Sequence, residues 1–292
     1  MEAVLRRLLE LRPLAVDSLE SWWLATRDVR EAPELTVDRA LLGGVLADRL
    51  GYAFTAGYQA ALQALVPGNG MRSLCITEAR GNSPKDIDTV FDGETVTGKK
   101  KWATAGPLAS ELLVCAKTGV DEQGRNRLVM VRVPASAAKL VTSSAPFVPE
   151  IPHAEVELDH VRVTSVLPGD GYAEYVKPFR TVEDLHVHAA LVGYLLGVSR
   201  RNNFARDLIE QLLASAVALH GLATADAKSA TTHLALAGAM TQVSQLVPQV
   251  ERAWEEIDDD EWKRWQRDRA LLRVAGAARA ARRDAAWSSL AR

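Results

Sequence analysis

Two cysteines and six scattered histidines in 292 residues offer no zinc-ligand spacing. Cys75 and Cys115 each sit in an apolar, strand-like run, which reads as two buried, reduced thiols of a cytoplasmic protein rather than a disulfide. The net charge of −2 removes any bulk electrostatic case for nucleic acid or an anionic membrane. No stretch approaches the ~18 apolar residues of a membrane span. Residues 1–14 carry Arg6, Arg7 and Arg12 but no uninterrupted apolar core, so they do not read as a signal peptide. Internal repeats and low-complexity linkers are also absent.

What remains is an ordinary soluble composition, 48% hydrophobic and 25% charged, long enough for one to three domains. Residues 1–67 read as helices. Thr36 opens a run to about Leu65 whose apolar stripe includes Leu42, Val45, Leu46, Leu50, Phe54 and Tyr58. Gly43, Gly44, Gly51 and Gly57 inside it imply close packing or a break. From Ser73 the pattern turns to β, with strand-like runs at 112–117, 127–133 and 155–163 and a turn at 121–124. From Thr181 it is helical again. One stripe is Leu185, Ala189, Val192 and Leu196; a second runs from Leu236 to Trp254, with a kink expected at Pro248. A third, from Leu271 to Ala285, is mostly small side chains. The expected domains are residues 1–70, 71–172 and 173–292: helices, a β-barrel or sheet, and an antiparallel helical bundle, an α+β chain.

One stretch, residues 73–106, organises the rest. It holds Ile76-Thr77-Glu78, a polar loop to Ser83, and Gly98-Lys99-Lys100-Lys101-Trp102-Ala103-Thr104. Between them Asp92-Gly93, flanked by strand-like residues, is a hairpin signal, so the two ends are expected to meet and line one site. The lysine run reads as a solvated strand end.

Ile76-Thr77-Glu78…Ser83, Gly98-x-Lys100-x-Trp102-x-Thr104 and the α, β, α order together resemble the acyl-CoA dehydrogenase superfamily. The resemblance implies that fold, bound FAD, and α,β-dehydrogenation of an acyl thioester on CoA or a carrier protein. It places Ile76, Thr77, Ser83, Trp102 and Thr104 at the flavin. Hydroxyls suit the polar edge of a flavin and an indole suits its flat body. The resemblance also implies a homo-oligomer, dimer or tetramer, or a hetero-oligomer with a related subunit.

The departures matter equally. The loop is Ala79-Arg80-Gly81-Asn82-Ser83-Pro84, with Asn82 where the family has Gly. The Arg-x-x-Phe-Gly loop that holds the FAD pyrophosphate in the family is replaced near residues 220–226 by HGLATAD. The Gly-Gly motif and the Tyr-Glu-Gly-Thr segment with the common catalytic glutamate are absent. Some family members carry the base at the start of the first long C-terminal helix, where Glu183 falls. The competing reading is a helix start, with Thr181 and Asp184 resembling a capping box, and on sequence it ranks first. His186 and His188, two apart on a helix, cannot chelate together. Gly193-x-x-x-Gly197 reads as close helix packing, and Asp258 to Glu261 as an acidic helix start. The second functional reading is a degenerate, non-catalytic or partner-dependent subunit of the same fold.

Overall fold

Helical and β-rich segments sort into two compact units, residues 1–64 with 181–292, and residues 65–180. The computed structural model describes residues 1–143, 145–257 and 259–291.

The first unit is helical. Its first part contains α1 (Glu2–Glu10), α2 (Leu19–Ala25), α3 (Arg27–Glu31), α4 (Thr36–Leu46) and α5 (Leu50–Leu65). Its second part contains α6 (Lys177–Arg201, whose first turn belongs to the β unit), α7 (Arg206–Gly221), α8 (Ala230–Glu255), α9 (Asp260–Asp268) and α10 (Gly276–Leu290). The single run expected from Thr36 to Leu65 is two helices. Ala47 is extended, and the chain folds back so that Gly43 meets Ala56. Gly43, Gly44 and Gly57 pack as closely as their placement implied. A Cβ on Gly44 would overlap the Ala190 carbonyl, and one on Gly193 would overlap that of Leu41, so α4 and α6 touch backbone to backbone. The stripe expected from Leu271 to Ala285 is also split: Ala275 has φ +66 and α10 starts after it. α8 runs through Pro248 as one helix. Asp259 caps α9 by accepting from the Trp262 N–H at 2.6 Å, as an acidic helix start requires; Asp258 lies outside the described residues.

The second unit is an eight-stranded mixed sheet of β1 (Arg72–Cys75), β2 (Val90–Phe91), β3 (Thr95–Thr104), β4 (Glu111–Val120), β5 (Asn126–Pro134), β6 (Lys139–Ser143), β7 (His153–Arg162) and β8 (Ser165–Val166). Its order is β6-β7-β3-β2-β4-β5-β8, and β1 pairs parallel with β4. Both expected hairpins form. Asp92 closes the first by accepting from Thr95 N at 2.7 Å and Glu94 N at 2.9 Å, and β4 pairs antiparallel with β5 across the 121–124 turn. Cys75 and Cys115 are buried, free thiols, which burial pushes up to about 12 and about 11. Among the described residues no helix is long and apolar enough to cross a membrane.

Candidate functional site

The two ends of the 73–106 stretch meet. The Lys101 N–H donates to the Thr77 carbonyl at 2.8 Å. Beneath that bond Lys100 Nζ lies 2.6 Å from Glu78 Oε1 and 3.3 Å from the Ile76 carbonyl. Lys100 is therefore not part of a solvated lysine run. Counting by twos from buried Val96 along β3 puts it on the inner face, while Lys99 and Lys101 reach Glu157 and Glu155 at the surface. Burial raises the Glu78 carboxyl, and the Lys100 ammonium with the Asp88 and Thr89 amides more than reverses this, leaving it below its ordinary value. Gly98 lets β3 pass this close. Its φ is +156, and a Cβ there would lie 2.7 Å from the Thr89 Cα.

Next to this anchor β3 bulges. Lys100 pairs with Val156 and Ala103 with Ala154, so the β3 interval is one residue longer than that of β7. The bulge holds Trp102 at φ +60, a conformation costly for a bulky side chain. The indole stays 57% exposed. The strain therefore turns an aromatic ring towards solvent rather than into the core.

Thr77 and Thr104 flank this segment at the sheet end. Both are half-buried, and neither hydroxyl has a partner among the described residues. Opposite Thr104 on β7 stands His153, whose Nδ1 is buried without a partner among the described residues and whose ring burial keeps neutral. Its place in the register could not be read from sequence. Ile76 gives its carbonyl to Lys100. Ser83 is committed differently: its hydroxyl and its N–H both go to the Asp86 carboxylate in a capping box. Indole, free hydroxyls and an orphaned imidazole nitrogen fit the ring end of a flavin.

The helical unit holds Glu183. Here the helix-start reading fails, because α6 begins at Lys177 after a π turn (Gly171–Val176) that Asp170 caps. Thr181 is inside the helix. Asp184 receives Arg279 Nε at 2.7 Å and also Arg282, which is why it is buried. Glu183 has no hydrogen-bond or ion-pair partner among the described residues. It lines a cavity of ≈ 130 Å³ with Leu50 and Phe54 of α5 and Leu271 and Val274. Burial, then the Asp184 charge, push its carboxyl up to about 7, against a smaller opposing pull from Arg279. An unpaired carboxyl poised near neutrality in an apolar cavity is suited to taking or giving a proton. His186 and His188 point apart as expected: His186 Nε2 lies 2.8 Å from Thr36 Oγ1, while His188 lines the cavity.

Residues 220–226 hold neither lysine nor arginine for a pyrophosphate, and His220, in the last turn of α7, is tied to Asp38 at 2.8 Å.

No protein-family model matches the sequence, and no curated protein matches it. Solved structures do match the fold. TdsC from Paenibacillus sp. A11-2, with FMN bound, superposes with a TM-score of 0.65 at 14% identity over 92% of this chain and 93% of that one. PigA with FAD and proline gives 0.64 at 12%, over 99% and 96%. Butyryl-CoA dehydrogenase from Megasphaera elsdenii gives 0.63 at 13%, over 100% and 90%. The chain has the acyl-CoA dehydrogenase fold. At these identities the likeness is one of architecture.

Proposed function

We propose that the chain is a flavin-dependent oxidoreductase acting on an acyl thioester, carried by CoA or a carrier protein. The observation that carries this reading is Trp102: an exposed indole on a strained bulge, anchored by the Lys100–Glu78 pair. Trp102 would cover the ring of a bound flavin, with Ile76, Thr77 and Thr104 at its edge. Ser83 supports the loop through its cap on Asp86. A bound flavin supplies the two-electron acceptor.

FAD is the expected flavin by resemblance, and the solved structures of this fold with FAD and with FMN support a flavin of either kind. Glu183 is the base that removes the proton α to the thioester carbonyl. A carboxyl near 7 is half ionised at neutral pH and accepts a proton without a large penalty. The apolar side chains around it exclude water and receive the acyl chain.

The test is Glu183→Gln. Flavin content should be unchanged, while acyl-thioester dehydrogenation falls about a hundredfold or more, the usual scale for a lost general base. Full activity in that variant would remove Glu183 from the mechanism.

A second reading has its own support. The 220–226 loop has no pyrophosphate cation, and its histidine is occupied by Asp38. A partner-dependent subunit, completed by a related chain, would look like this. Mass measurement in solution separates the two: the first reading expects a homo-oligomer that holds flavin, the second a colourless chain that gains flavin only with its partner.

A further inference from the structure

Two cavities adjoin along α6. The smaller is the apolar chamber of Glu183. The larger, ≈ 420 Å³, is walled by Met240 and Val247 of α8 and by Arg273, Arg279 and Arg283. His188, Leu191, Leu272 and Arg279 line both, so the chambers share one partition. The larger volume lies in the range of small-molecule sites, roughly 300–1,000 Å³.

Charge is unevenly matched around it. Arg279 and Arg282 share Asp184. Among the described residues Arg283 reaches only Asp284, its neighbour in the chain, in an exposed pair that solvent screens. Arg273 has no partner among the described residues. The stretch of α8 that faces them, residues 237–247, has no acidic side chain. His188 adds no positive charge. Its Nδ1 lies 2.7 Å from the Asp184 carbonyl, so it donates there, and burial with the nearby arginines holds the ring neutral. Guanidinium groups left over at a concave, half-apolar surface call for an oxyanion with a hydrocarbon body.

We propose that this double chamber binds an amphipathic organic anion, its oxyanion head among Arg273, Arg279 and Arg283 and its apolar body against Met240, Leu191 and Leu272. This deepens the thioester reading by giving the substrate a charged group beyond the Glu183 chamber. Binding itself requires neither flavin nor turnover. The head has two sources of the same chemistry: a carboxylate on the acyl chain, or a phosphate on the carrier arm.

Calorimetric titration of the full chain with octanoate, octyl phosphate and octanol tests this. At least one anion should bind at one per chain, with octanol about tenfold weaker or worse, as expected for charge-assisted hydrogen bonds partly open to water. Tighter octanoate assigns a carboxylate head, and tighter octyl phosphate a phosphate head. The double variant Arg273→Ala/Arg283→Ala should lose about tenfold for the anion and nothing for octanol. Met240→Trp, which fills the chamber, should block all three while thermal unfolding stays cooperative. Octanol binding as tightly as both anions, or anion binding unchanged in the double variant, overturns the proposal. Flavin content read on the same samples keeps the two ideas apart. Anion binding without any flavin uptake counts against the thioester reading alone, and flavin uptake without anion binding counts against this proposal alone.

Discussion

Lys100 and Glu78, 22 residues apart in sequence, form a buried ion pair 2.6 Å long that ties the two ends of the 73–106 stretch together. The pair is the anchor against which Trp102 is held out of the sheet.

Removing one partner of a buried pair strands the other charge. Lys100→Met should therefore cost about 3 kcal/mol, the low end for such a loss, because Glu78 keeps the Asp88 and Thr89 amides. Denaturant titration reads this. The double variant Lys100→Met/Glu78→Gln should recover part of the loss. The pair also sets a pH dependence. Glu78 is depressed below its ordinary 4.5, so its contribution is complete above pH 4.5 and disappears as pH falls through the lowered value. Acid unfolding of the Lys100→Met chain should lack that step.

Glu183 has the opposite sign. Its folded value of about 7 lies above the ordinary 4.5, so the folded state resists ionisation. Its contribution to stability is greatest below pH 4.5, declines as pH rises towards about 7, and is level above it. Glu183→Gln should flatten that decline and make the chain more stable at pH 8, by about 1–3 kcal/mol. Urea midpoints at pH 5 and pH 8 give the answer. In the active protein the same group should appear as a rising limb in rate against pH, with an apparent pKa near 7.

Trp102 should show a trade between stability and function. Glycine tolerates φ +60 and the indole is largely exposed, so little packing is lost. Trp102→Gly should raise the stability of the flavin-free chain by about 1 kcal/mol while weakening flavin retention. Thermal melts with and without flavin separate the two effects. A destabilised variant that keeps its flavin would show that the bulge serves packing.

Gly98 is the tightest backbone passage at the site. A methyl group there meets Thr89 and a disfavoured φ together. Gly98→Ala should cost about 1–3 kcal/mol by denaturant titration, whereas Gly93→Ala, at φ +111 with nothing within 4 Å of its Cβ, carries the backbone term alone and should cost less.

Much of this was legible in the residues. Asp92-Gly93 gave the hairpin, and the hairpin brought Thr77 and Lys101 together. The glycines of α4 and α6 announced their contact because only close backbones need them. Other features were hidden for physical reasons. Three consecutive lysines look solvated, and only strand alternation separates Lys100 from its neighbours. Thr181 and Asp184 look like a cap because local spacing is the same inside a helix as at its start; the decision belongs to Arg279 and Arg282, about a hundred residues away. His153 next to Thr104 depends on sheet register, which local sequence does not fix.

The proposed chemistry depends on a flavin held at the Trp102 surface. The most direct measurement is the visible absorption of the full chain as purified and after incubation with FAD and, separately, FMN. Flavin close to one per chain is expected with one of them, with quenched Trp102 fluorescence, and both signals should be lost in Trp102→Ala at unchanged far-ultraviolet circular dichroism. A colourless chain that takes up neither flavin, alone or after denaturation and refolding with it, would contradict it.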